Sequence, residues 1–144
     1  MTAPTRDLAT LLRDGAPVLH DEAYAFATAP DGVDLRGVGA FAIVAEAEGT
    51  TVVLPEANAR AAGFVVAFVA ARITWSVVSD LAAVGLTAAV ATALAEAGIA
   101  CNVVAGVRHD HFFVPFERGP DALARLRKLA VSVAGGDVAI PPGP

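Results

Sequence analysis

The residues best suited to chemistry stand together at His109-Asp110-His111. Two imidazoles around a carboxylate could ligate a metal ion, with Asp110 as a third group. A closed site needs more ligands than these. The chain's other histidine, His20, is far away in sequence, and there is no His-x3-His or Cys-x2-Cys spacing. The expectation is therefore no metal, with the motif forming a hairpin turn that lines a cleft or interface or stands in solvent. Either histidine could act as an acid or base, since imidazole titrates near neutral pH. Cys101 lies inside an apolar run, which suits a small core residue better than a nucleophile. Glu46 and Glu48 read as the solvated end of a hairpin. The chain has no Gly-x-Ser-x-Gly elbow, no phosphate loop and no strand-linked Gly-x-Gly-x-x-Gly. No catalytic residue, no cofactor and no enzyme activity are expected.

Composition narrows the function classes further. The chain has 144 residues, of which 56% are hydrophobic and 17% charged, with a net charge of -5. That length supports a real core in one domain or two small lobes. Its charge argues against nucleic acid as a partner, because phosphate binding needs concentrated positive charge. Arg125, Arg127 and Lys128 form the one basic knot, suited to the last turn of a helix. A single cysteine excludes an intrachain disulfide framework and fits a reducing, cytoplasmic setting. Met1–Asp14 has no long apolar core of the signal-peptide kind. Mean hydropathy is +0.60, yet the richest run, Leu81–Ala95, falls short of the roughly 20 apolar residues a membrane span needs. No membrane partner is expected.

The elements that would position these groups follow from spacing. Leu8, Leu11 and Leu12 predict a short helix over Asp7–Asp14, stopped by Gly15 and Pro17. Val18–Thr28 reads as a strand with Tyr24 and Phe26 on one face, and the Gly-rich stretch Ala29–Gly39 as a loop. Phe41–Glu46 reads as a strand with Phe41, Ile43 and Ala45 on one face. Glu48-Gly49 turns it into Thr51–Leu54, and Pro55 opens a short helix to Ala62. Phe64–Ser79 contains a strand with Ile73, Trp75 and Val77 opposite Arg72, Thr74 and Ser76. Leu86–Ala97 is a helix capped by Gly98. Ile99–Val107 and Phe112–Phe116 are strands, and Asp121 to about Val133 is the last helix. Gly135–Pro144 reads as a loose tail. The order is α-β-β-β-α, then β-α-β-β-α. This is an α+β, split-βαβ pattern of two weak repeats, with helices on one face of a largely antiparallel sheet. The expected division is a first, degenerate lobe over residues 1–64, a second lobe over 65–134 and a tail over 135–144.

Three runs carry a resemblance. They are Ile73-Thr74-Trp75-Ser76-Val77-Val78-Ser79-Asp80-Leu81-Ala82-Ala83-Val84-Gly85-Leu86-Thr87-Ala88-Ala89-Val90, then Gly98-Ile99-Ala100-Cys101-Asn102-Val103-Val104-Ala105-Gly106, then His109-Asp110-His111-Phe112-Phe113-Val114-Pro115. Together they resemble the small stand-alone tandem-ACT proteins of bacteria, most specifically over residues 72–130. Weaker similarity shows at Asp7–Leu12, Pro17–Asp21 and Glu46–Leu54. The resemblance implies tandem ACT-like, ferredoxin-like lobes and a regulatory role through binding a small molecule, commonly an amino acid, at a domain interface or across a homodimer. It points to Ser79, Asp80, Val84, Gly85, Leu86, Asn102, Val103, His109 and His111 as ligand-binding candidates. Their chemistry is consistent with that. N–H groups at the start of Leu86–Ala97 could hold a carboxylate, Gly85 allows close approach, Asn102 could orient a ligand, and Ser79 with Asp80 could accept from an ammonium group. The alternative is an oligomerisation or docking module without a ligand, driven by the apolar first lobe and open sheet edges.

Overall fold

The computed structural model describes residues 3–135. They form α1 (Leu8–Asp14), β1 (Pro17–Ala29), β2 (Ala42–Glu46), β3 (Gly49–Pro55), α2 (Glu56–Ala61), β4 (Val65–Trp75), α3 (Leu86–Glu96), β5 (Asn102–Ala105), β6 (Asp110–Pro115) and α4 (Gly119–Ala134). This is the predicted element order. Local chemistry sets several of the boundaries. Asp7 caps α1 by accepting the Thr10 N–H at 2.9 Å. Arg60 reaches back one turn to Glu56 in α2.

All paired strands run antiparallel in one sheet ordered β2-β3-β1-β4-β6-β5. The long strands β1 and β4 form its centre, and β2 and β5 its edges. The fold is thus α+β, with the helices packed on one continuous antiparallel sheet.

Alternation along the strands sorts side chains onto two faces. Ala71, Ile73 and Trp75 of β4, with Phe112 and Val114 of β6, meet Leu11 and Leu12 of α1, Leu86, Val90 and Leu94 of α3, and Leu126 of α4. A smaller cluster under α2 joins Ala25, Ala27 and Ala29 to Val52, Leu54 and Ala59. The helices therefore cover one face. Trp75 is fully buried, and its indole N–H donates to the Leu11 carbonyl at 2.8 Å, so α1 from the first half is tied into the core of the second. The other face carries Tyr24, Phe26, Phe41, Phe68 and Phe113 with no helix over it.

Three expectations change. The turn expected at His109-Asp110-His111 is shorter, because Asp110 and His111 already pair with Ala105 and Val104 as the start of β6. Ile99–Val107 shortens to Asn102–Ala105, because the Ile99 N–H is held by the Leu94 carbonyl at the end of α3 and the Gly106 N–H by the His109 carbonyl in the hairpin turn. Phe41 does not share a face with Ile43. It lies just before β2, outside the alternation, and its ring turns onto the helix-free face against Phe113. The expected loose tail, apart from Gly135, lies outside the described residues.

Candidate functional site

β4 ends at Trp75, and the chain then crosses to α3. There a pocket of about 120 Å³ opens, lined by Ser79, Asp80, Gly85, Leu86, Ala105 and Asp110 among others. Ser79 is buried, and its hydroxyl donates to Asp110 Oδ2 at 3.0 Å. The Ser79 N–H donates to the Arg108 carbonyl at 3.2 Å. Asp80 stands at the rim. Its Oδ1 accepts the Ala82 N–H at 2.8 Å, and its Oδ2 lies 3.1 Å from Arg6 Nε. These two contacts, the backbone donor first, hold its carboxyl below the usual carboxylate value.

Gly85 caps α3 with φ 108°, which only glycine adopts readily, and no side chain caps the helix. The first N–H groups of α3 therefore have no side-chain acceptor. The space a Cβ would take at Gly85 is filled by Leu8, whose Cδ2 would lie 2.7 Å from it. The close approach that the missing Cβ permits is thus made by α1. The N-terminal segment also pairs with the pocket wall, Thr5 donating to the Val78 carbonyl and accepting from the Asp80 N–H.

The structure brings Ser79, Asp80, Gly85 and Leu86 together and leaves the other candidates elsewhere. Val84, next to Gly85 in sequence, is 73% exposed, Leu81 in the same connection 65%, and Val107 in the β5–β6 turn 77%. Val103 packs into the helix-side core. Asn102 is exposed on the edge strand β5, and it and His111 fall on the helix-free face, because Val103 and Phe112 point to the helices. His111 Nδ1 hydrogen-bonds the Thr74 hydroxyl at 3.0 Å, and burial, then Arg72, push its pKa down to about 4. His109 is half-buried, and its Nδ1 is buried without a hydrogen-bond partner. Sequence reasoning passed over Leu81, Ala83, Thr87, Ala105 and Asp110 as pocket members, and the one acid among them is Asp110. Its signal was present in the inward alternation of Phe112 and Val114, which puts Asp110 on the same side.

Among the described residues, no group of three or more His, Cys, Asp and Glu could hold a metal ion. Cys101 is half-buried, and burial pushes its thiol up to about 11, away from the thiolate a nucleophile needs. No described helix is long and apolar enough to cross a membrane.

The sequence matches the ACT domain family over residues 3–71. A Vibrio cholerae protein of unknown function, described as a possible transport protein, is 41% identical over 85% of this chain and 95% of its own, with a TM-score of 0.76. That likeness extends across both halves. An Agrobacterium tumefaciens protein superposes with a TM-score of 0.67 at 15% identity, covering 81% of this chain and 89% of its own. The ligand-free regulatory subunit of aspartate kinase from Thermus thermophilus does so with a TM-score of 0.59 at 14% identity, covering 80% and 96%. These two distant likenesses concern the fold alone. No curated protein is significantly similar to the chain. On its family match and its close structural relative, this chain belongs to the ACT-domain family.

Proposed function

We propose that the protein is a non-enzymatic regulatory module that binds a small amino acid in the pocket at the start of α3. In this reading it acts in the cytoplasm, with two ACT-like lobes at residues 1–64 and 65–134. The observation that carries the proposal is the convergence in one pocket of an uncapped helix N-terminus, the buried Ser79–Asp110 pair and the Asp80 carboxylate. The helix end suits a carboxylate, and the two acids suit an ammonium group a few ångströms away. A zwitterion would meet both.

The exposed Leu81 and Val84, in the connection that forms this pocket, favour a homodimer. Large apolar side chains grouped near a site are better covered than wet, and a second copy seated there would close the mouth over the ligand. A docking module without a ligand is the competing reading of the same apolar rim.

A thermal-shift screen against amino acids and small carboxylates at millimolar concentration tests the proposal. A ligand present at 100 times its Kd stabilises by about 2.7 kcal/mol, which raises Tm by several degrees. Ser79→Ala should weaken that response, since it leaves Asp110 without its donor. No shift with any compound would sink the ligand reading. Light scattering that shows a monomer at all concentrations would sink the dimer.

A further inference from the structure

The helix-free face carries a second group of residues that the pocket does not use. Arg72 of β4 lies between two rings, its Cζ 4.9 Å from the centroid of Tyr24 and 4.9 Å from that of Phe41. Both rings stand edge-on to Phe113, at 5.7 and 5.4 Å. Arg72 Nη2 donates to His20 Nδ1 at 3.2 Å. That donor sets the protons along the rest of the chain. His20 carries its proton on Nε2 and donates to Thr74 Oγ1 at 2.8 Å. The Thr74 hydroxyl then donates to His111 Nδ1 at 3.0 Å. Both imidazoles are neutral in this arrangement, and burial followed by the Arg72 charge lowers the pKa of each.

Arg72 lacks the carboxylate partner that six other arginines have. Arg6, Arg13, Arg36, Arg60, Arg118 and Arg125 each face a carboxylate. Arg72 faces none among the described residues, and its Nε is buried without a hydrogen-bond partner. Ring faces attract a cation, yet they accept no directed N–H bond. Two neutral histidines add no negative charge. The result is an enclosed guanidinium with unmet donors, walled by aromatic rings, in a chain whose acids outnumber its bases.

We infer that Arg72, Tyr24, Phe41 and His20 form a second ligand site, on the helix-free face, for a small oxyanion, either a carboxylate or a phosphate. The planar fork of a guanidinium matches both. Phe41 is the half-exposed wall. It follows the loop that holds Gly37 and Gly39, both at positive φ. The aromatic floor then takes whatever apolar group the anion carries. The site is separated by the sheet from the Ser79–Asp110 pocket, so each can fail without the other.

Side-chain NMR of the full chain tests this at constant ionic strength, with acetate and inorganic phosphate titrated separately to tens of millimolar. His20 and His111 imidazole resonances should shift saturably with at least one anion, and the one that acts names the source. Ser79→Ala should leave the titration unchanged. Arg72→Gln should abolish it, and Arg72→Lys, which keeps the charge and loses the fork, should weaken binding by about tenfold. If Arg72→Gln does not fold, the wild-type titration with Arg72→Lys decides alone. Flat imidazole resonances with both anions overturn the inference. So does self-association that Arg72→Gln abolishes with no response to either anion, which would assign this face to a second copy.

Discussion

Lowering the pH should destabilise this protein through His111. The folded chain keeps His111 neutral down to about pH 4, against 6.5 when unfolded. A histidine held neutral contributes stability that is complete above the unfolded value and is lost as pH falls from 6.5 toward about 4. At about pH 5 the unfolded chain has taken up this proton and the folded chain has not. At 1.36 kcal/mol per pH unit, this loss is about 2 kcal/mol at most, since solvent reaches the half-buried ring. His20 shifts in the same direction and adds to the wild-type loss. The lowered carboxyls of Asp7, Asp14, Asp34 and Asp80 release their contributions around and below 3.8, outside this window. Trp75 is the single tryptophan and is fully buried, so its fluorescence reports urea unfolding at both pH values. His111→Asn keeps an acceptor for the Thr74 hydroxyl and removes the titration. The difference in stability between about pH 7.5 and about pH 5 should shrink by up to about 2 kcal/mol in this variant. Equal pH dependence in wild type and variant would refute the reasoning, because it would mean that His111 is no less basic folded than unfolded.

Gly85→Ala should destabilise the fold by about 1–3 kcal/mol in chemical denaturation, because it forces a side chain into positive φ and against Leu8; an unchanged midpoint would contradict the packing of α1 on this turn. Cys101 should resist iodoacetamide at about pH 8 in the native state and react on unfolding, since only the thiolate attacks and the folded thiol sits near 11. Rapid native labelling, followed by mass spectrometry, would place the thiol outside the core.

Much of the fold was legible because period carries it. The stripe Leu86, Val90, Leu94 and the alternation Ile73, Trp75 each name a buried face without any knowledge of neighbours, and both are buried as read. Two places resisted for a local reason. Ile99 looks like strand from its apolar pattern, yet a backbone bond to Leu94 holds it at the helix end. Phe41 looks like part of β2, yet the ring cluster on the helix-free face claims it. Part of the candidate site was legible too. Ser79, Asp80, Gly85 and Leu86 lie within one short connection, so a single turn of chain brings them together. Asn102 and His111 required the parity of β5 and β6, and that parity sends them to the opposite face from Asp110.

By itself, the sequence determined the element order, the inward face of the long helices and strands, and a chain without a recognisable catalytic motif. These follow from composition and from periods of two and 3.6, which are local properties. Only the tertiary structure decided which distant residues share a site. It placed α1 of the first half against the core of the second, joined Ser79 to Asp110 across 31 positions, and set Arg72 between rings from β1 and from the residue before β2. Such contacts depend on strand order in the sheet, which spacing along a chain does not encode. The run His109-Asp110-His111 shows the division most sharply. Its three residues are adjacent in sequence, and the pleat sends Asp110 into the pocket and His111 to the far side of the sheet.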